Sequence, residues 1–150
     1  MRLKFLFYAA AVSIGLAGIQ HLIDLVIDPE HSGNISIATF FIIAGVAQIF
    51  WALPTARRWG KPWYYIGIAG NVALIVIWML SRMPGNPITE GGQAEAIGAI
   101  DIPVEISQAA YIGLVVMAAI VVLQQKHMMM RIDHKEAASA ADAINTGSRT

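Results

Sequence analysis

Four apolar runs of about 20 residues each divide this chain of 150 residues and restrict how it can fold. They cover approximately residues 5–27, 35–53, 63–81 and 103–123. A helix of about 20 residues crosses the hydrocarbon of a bilayer, because each residue adds about 1.5 Å along the axis. Only 13% of the residues are charged, whereas a soluble domain has about a quarter. The sequence therefore predicts an all-α integral membrane protein with four transmembrane helices.

The charged residues predict how these helices are oriented. Nine of the ten basic residues fall on one side of the predicted spans: Arg2, Lys4, Arg57, Arg58, Lys61, Lys126, Arg131, Lys135 and Arg149. Seven of the ten acidic residues fall on the other side, where Arg82 is the remaining basic residue: Asp24, Asp28, Glu30, Glu90, Glu95, Asp101 and Glu105. Because basic loops stay in the cytoplasm, we expect both termini on the cytoplasmic side of the cell membrane and both acidic loops on the outer side. Short connections then predict an up-down-up-down four-helix bundle.

The stretches between and after the spans complete the predicted organisation. Residues 1–126 form one four-span domain, and residues 127–150 form a cytoplasmic tail, of which residues 137–150 are weakly helical and fray. The external loop, residues 83–102, is rich in proline and glycine but is too long for a tight turn. We expect it to fold as a cap with a short helix over residues 92–100.

Ionisable side chains from three predicted helices meet in one layer near the outer surface. His21 lies 16 residues after Phe5, roughly 24 Å along the first helix, and Asp24 follows one turn later. Arg82 ends the third span at the same level. One face of the fourth helix adds three polar residues at positions i, i+4 and i+7, namely Asp101, Glu105 and Gln108. Polar groups at this depth are costly and usually have a function.

One interpretation of this layer is a metal site. Imidazole binds copper and zinc well, and carboxylates can complete the ligand set. His21, Asp24 and His31 would be the first ligands, and further ligands or orienting groups would come from Glu95, Asp101 and Glu105. The spacing His-x2-Asp-x6-His matches no standard metal signature. Under this interpretation the predicted cofactor is copper or zinc.

Two other interpretations use the same residues. In the first, Arg82 neutralises Asp24 or Glu105, His21 is a neutral hydrogen-bond donor, and the network seats the external loop. Asp101 and Glu105 flank Pro103 at a helix start, where carboxylates are favoured by capping and by the helix dipole. In the second, the carboxylates belong to a proton or ion pathway. The sequence leaves all three interpretations open.

A second polar pair and several small residues predict how the helices pack. Gln48 and Asn71 both lie roughly 9 to 12 Å from the inner ends of their spans, which predicts a hydrogen bond between the second and third helices. Close contacts between helices are predicted at small residues spaced three or four apart: Ala11, Gly15, Gly18, Gly67, Ala69, Gly70 and Ala73.

Missing motifs narrow the function. The chain has no cysteine, which excludes disulfides and thiolate metal sites, and it has no P-loop, Gly-x-Ser-x-Gly, His-Glu-x-x-His or dinucleotide motif. Nucleic acid is not an expected partner, because the basic residues lie beside membrane spans. The sequence therefore predicts a non-catalytic accessory subunit of a larger membrane complex, with the lipid bilayer and other membrane subunits as partners. The alternative is a stand-alone membrane protein that binds copper or zinc.

Two resemblances accompany this interpretation. Over residues 18–108 the chain resembles a loose group of small, uncharacterised four-span prokaryotic membrane proteins. The shared residues are His21, Glu30-His31, Ser81-Arg82-x2-Gly85-x-Pro87, Glu95-x2-Gly98-x2-Asp101 and Glu105. This resemblance implies that the outer polar layer is a common feature of the group, and it implies no function.

The second resemblance is to copper monooxygenases of the ammonia and methane type. These enzymes have an Asp/His/His site in a membrane subunit near the depth of His21. Here the order is His21, Asp24, His31 and the chain is too short to be that subunit, so no residue role is transferred. What the resemblance implies is a small accessory subunit of such a metalloenzyme complex.

Overall fold

The structure is a computed structural model that describes residues 2–28 and 34–147, with side chains for residues 3–28, 34–89 and 91–136. The chain divides into two compact units, Met1–Val116 and Met117–Thr150. The first unit contains every contact discussed below. In the second, the chain is helical as far as Gly147.

The described residues form four α-helices and no strand. The helices are α1 (Arg2–Ile27), α2 (Ile35–Ala56), α3 (Lys61–Ser81) and α4 (Asp101–Gly147). Each contains a stretch that is long and apolar enough to cross a membrane. Most apolar side chains of these stretches are exposed on the chain, as expected for a protein in contact with lipid. The all-α class with four candidate spans is therefore confirmed, whereas the up-down-up-down order and the cytoplasmic termini remain predictions.

Two helix ends differ from the predicted limits. The prediction that α2 stops before Pro54 is wrong, because one more turn follows: the backbone N–H of Arg57 donates to the carbonyl of Leu53 at 3.0 Å. The start of α2 is capped by Asn34, whose side-chain oxygen accepts from the backbone N–H groups of Ser36 and Ile37 at 3.0 and 3.3 Å.

The fourth helix is longer at both ends than the predicted span over residues 103–123. It begins at Asp101 and continues without interruption to Gly147, through residues predicted to be a fraying tail. Residues 124–144 contain no glycine or proline and many good helix formers, so nothing in the sequence stops the helix where its apolar stretch ends.

Helices α1 and α2 cross closely at two glycines. A Cβ atom on Gly18 would lie 2.5 Å from the carbonyl oxygen of Gly45, and one on Gly45 would lie 2.8 Å from the carbonyl oxygen of Gly18. Real Cβ atoms do not approach other atoms this closely, so neither position accepts a side chain without moving a helix. Gly18 is one of the small residues predicted to permit close packing.

The buried core joins α1 and α4 and reaches α3. Its centre is formed by four buried side chains: Ala10, Ile14, Tyr111 and Val115. The hydroxyl of Tyr111 lies 3.5 Å from that of Thr55. A Cβ atom on Gly67 would collide with the same Tyr111 hydroxyl and with the indole of Trp51, so Gly67 provides the space that the tyrosine fills.

The connection between α3 and α4 is folded, but not as the predicted helix over residues 92–100. The only helical turn described there is a 3-10 turn at Glu90–Gly92, where Gly91 and Gly92 have φ of 69° and 67°. These left-handed conformations suit glycine and end the turn, and Gln93 continues in an extended conformation. The prediction of a short helix is therefore wrong, while the prediction of a folded connection is confirmed.

Candidate functional site

Arg82, at the C-terminal end of α3, connects three parts of the chain. Its Nη1 lies 3.1 Å from the Glu95 carboxylate in the connection, and its Nη2 pairs with the Asp101 carboxylate at the start of α4. Nη1 also donates to the Ser81 hydroxyl at 2.6 Å, and the guanidinium lies 4.5 Å from the centre of the Trp78 ring. Arg82 thus holds the connection against both neighbouring helices.

The partners of Arg82 differ from the predicted ones. Among the described residues its ion pairs are with Glu95 and Asp101, whereas the sequence analysis assigned it to Asp24 or Glu105. Asp101 also accepts the backbone N–H of Gly98 at 2.7 Å. This bond fixes the last residues of the connection, so Asp101 reaches Arg82 because it is held at the very start of the helix.

Asn86 organises the rest of the connection. This amide is only 6% exposed, and its Nδ2 lies 2.8 to 3.2 Å from the carbonyls of Ser81, Met83 and Gln93. Its Oδ1 accepts the backbone N–H of Thr89 at 2.8 Å. Asn86 is not among the residues predicted from the sequence, although asparagine beside Pro84-Gly85 and Pro87 is typical of a side chain that nucleates turns.

His21 and Gln108 join α1 to α4. The His21 Nε2 and the Gln108 Nε2 lie 3.2 Å apart, and both side chains are buried. The imidazole also contacts the ring of Phe41 edge-on, with 5.4 Å between ring centres. Within the described chain the His21 Nδ1 and the Gln108 Oε1 have no hydrogen-bond partner. This pair therefore joins two helices and leaves one hydrogen-bonding atom of each side chain unused.

Glu105 lies one turn after Asp101 on α4 and is half-buried. No hydrogen bond or ion pair joins it to the described residues. Asp24 is buried in α1, one turn from His21. The polar layer, defined here as His21, Arg82, Glu95, Asp101, Glu105 and Gln108, therefore contains one arginine and three carboxylates.

The predicted metal ligands are only partly described. No group of three or more histidine, aspartate or glutamate side chains in the described ranges is arranged to hold a metal ion. Glu95 and Asp101 are already paired with Arg82. His31 lies outside the described residues, so the set of His21, Asp24 and His31 stays a prediction.

A cavity of about 840 Å³ adjoins the polar layer. Its polar wall includes His21, Glu95 and Glu105, and its apolar wall includes Phe40, Phe41 and Trp78. We call it the polar cavity. The indole Nε1 of Trp78 is buried without a hydrogen-bond partner in the described chain, like the Nδ1 of His21.

A smaller apolar groove of about 290 Å³ runs between α2 and α3. The predicted hydrogen bond lies on its wall and is confirmed: the Gln48 Nε2 donates to the Asn71 Oδ1 at 3.2 Å. Asn71 in turn donates to the carbonyl of Gly67 at 2.8 Å. Apart from this hydrogen-bonded pair, part of the lining is small, namely Ala44, Ala47, Gly67 and Gly70, and the rest is large and apolar. The Oε1 of Gln48 is buried and has no partner among the described residues.

Comparisons of this chain with protein-family models, with curated proteins and with solved structures found no match. The geometry of the polar layer, the polar cavity and the groove therefore carries the functional argument.

Proposed function

We propose that this protein is a non-catalytic accessory subunit of a larger membrane complex, and that a transmembrane helix of a neighbouring subunit packs into the groove between α2 and α3. One observation carries the proposal: the Gln48 side chain is 4% exposed, yet its Oε1 accepts no hydrogen bond from the described chain. An unpaired buried carbonyl in a membrane costs a few kcal/mol because no water is present to bond it.

The groove favours a helix over a lipid chain as its occupant. Its small residues allow a backbone to approach closely, as in most contacts between transmembrane helices. An acyl chain would fill the space but would bring no hydrogen-bond donor, whereas a serine, threonine or asparagine on a partner helix would bring one toward which the Gln48 amide can turn its buried oxygen. A neighbouring helix therefore satisfies both the shape and the chemistry of the groove.

Charged side chains of the polar layer are paired within the chain, which supports a structural role over a catalytic one. Arg82 and Asp101 have several partners each, and those contacts hold the connection between α3 and α4. A membrane complex of the copper monooxygenase type is the kind of assembly we propose. The alternative is a stand-alone protein that binds copper or zinc. Its ligands would be His21, Asp24 and His31.

The experiment compares two glycines, each with open space around it. A Cβ atom on Gly70 or on Gly113 would meet nothing within 4 Å, so a larger side chain at either site leaves the described packing intact. Of these two glycines, Gly70 lines the groove and Gly113 does not. We expect native mass spectrometry after mild extraction to find the wild type and Gly113→Leu in a stoichiometric complex, and Gly70→Leu released from it.

Three results contradict the proposal. Gly70→Leu could remain in the complex as fully as Gly113→Leu, or the wild type could be recovered as a lone 16.2 kDa species with near-equimolar copper or zinc by elemental analysis. A complex that contains only copies of this chain also contradicts the subunit assignment.

The orientation in the cell membrane is part of the same proposal: both termini in the cytoplasm and an up-down-up-down order. It is supported by Arg57 and Arg58 between α2 and α3, by Lys61 at the start of α3, and by Glu95 between α3 and α4. The chain has no cysteine, so Arg57→Cys and Ala99→Cys each introduce one thiol. We expect an impermeant maleimide to label only Ala99→Cys in intact cells. Labelling of Arg57→Cys alone would reverse the orientation.

A further inference from the structure

The charges of the polar layer do not balance. Arg82 is its one basic residue, and it pairs with Glu95 and Asp101. Glu105 is left without an ion pair to any described residue, at a level where α4 is part of a candidate membrane span. An unpaired carboxylate away from water is costly, so this group must be neutralised or must have a cationic partner.

The polar cavity gives such a partner access to Glu105. Glu105 lines it together with His21, which is 8% exposed and whose Nδ1 has no described partner. The His21–Gln108 contact permits two arrangements, because rotation of the amide exchanges its oxygen and nitrogen. When the Nε2–H of His21 donates to the amide oxygen, the Nδ1 is a free acceptor. The polar cavity therefore combines the carboxylate of Glu105 with an imidazole that keeps one unused acceptor.

Three aromatic residues of the lining suit an apolar group. They are Phe40, Phe41 and Trp78, and aromatic rings provide large contact areas for an organic body. The volume of about 840 Å³ falls within the range of sites for small organic molecules, about 300–1,000 Å³. A bare metal ion would leave most of this volume unfilled, and an organic anion would face Glu95 and Glu105.

We propose that the polar cavity binds a protonated organic amine. Its ammonium group lies against the carboxylate of Glu105, beside the imidazole of His21, and its apolar body packs on the three aromatic rings of the lining. The polar cavity shares Phe40 and Leu74 with the groove between α2 and α3, but His21 and Glu105 line only the cavity, so this proposal does not depend on the chain being a subunit of a complex.

The test uses the whole chain in nanodiscs of zwitterionic lipid, with radiolabelled benzylamine as the probe in equilibrium dialysis at neutral pH. Benzyl alcohol is the neutral comparison, because it has the same ring and a similar size. Dialysis against empty nanodiscs corrects for partition into lipid. We expect saturable binding of benzylamine, and weaker binding of benzyl alcohol.

Two pairs of variants locate the site. A hydrogen bond to a charged group contributes about 1.5–3 kcal/mol, so Glu105→Gln should weaken benzylamine binding about tenfold or more. Asp28→Asn also removes a carboxylate, but from a residue that does not line the cavity, and should leave binding unchanged. Ala96 lines the cavity and Ala99 does not, and both are exposed. Ala96→Trp should therefore block binding and Ala99→Trp should not.

The alanine pair decides the question if Glu105→Gln fails to fold. The proposal is overturned if the wild type binds benzyl alcohol as tightly as benzylamine, if Glu105→Gln keeps full affinity, or if Ala96→Trp binds like Ala99→Trp. Tight binding of zinc or copper ions without any binding of benzylamine also overturns it, and would favour the metal interpretation of His21.

Discussion

Asn86 and Gln48 are both buried amides, yet the chain uses them in opposite ways. Both oxygen and nitrogen of Asn86 have partners in the backbone between Ser81 and Gln93. Gln48 donates to Asn71, but its oxygen is left without a partner in the described chain. The two side chains are 6% and 4% exposed, so access to solvent does not explain the difference.

The comparison separates groups that build this fold from groups that remain available for another molecule. Asn86 makes its hydrogen bonds within the connection between α3 and α4. Arg82 is likewise paired, with the carboxylates of Glu95 and Asp101. Gln48 and His21 hold helices together with one nitrogen and leave a second polar atom unused. Both residues line open space, Gln48 in the groove and His21 in the polar cavity, although the unused atoms themselves are buried.

The largest effect on stability in this comparison is expected for Asn86→Ala. The substitution removes several partly buried hydrogen bonds, each with a net contribution of about 1 kcal/mol, so we expect a loss of about 3 kcal/mol in the free energy of unfolding. Titration of the chain with SDS in mixed micelles, followed by circular dichroism, measures it.

Asn34→Ala is the matched control for that measurement. Asn34 also bonds two backbone N–H groups, but as a helix cap, and its loss should cost about 1 kcal/mol. Equal losses for the two variants would mean that Asn86 does not organise the connection.

Four helices could be predicted from the sequence because long apolar runs have one stable solution in a bilayer. The bond between Gln48 and Asn71 was also predictable, since both residues lie at the same depth on neighbouring spans. Depth along a helix is a property of sequence spacing, and so is the presence of a polar layer.

Partners within that layer could not be predicted in the same way. Spacing gives the level of Arg82 but not the direction of its side chain, which depends on how residues 83–100 fold. That fold depends on left-handed glycines and on Asn86, whose bonds reach residues up to seven positions away. Glu95 and Asp101 therefore became the partners of Arg82, and the helix predicted over residues 92–100 did not form.

The smallest effect on the isolated chain is expected for Gln48→Leu. This variant leaves the buried Asn71 Oδ1 without its Gln48 donor but removes the unpaired Oε1 of Gln48, so the number of buried oxygens without a described partner stays the same. We expect the free energy of unfolding to change by less than about 1 kcal/mol in the SDS titration that measures Asn86→Ala. A loss as large as that of Asn86→Ala would show that both amides are structural.

If Gln48 instead serves a partner helix, the same variant should reduce the fraction of chain recovered in the complex while Gly113→Leu leaves it unchanged. A nearly unchanged isolated chain that no longer associates is the result that distinguishes a binding group from a folding group.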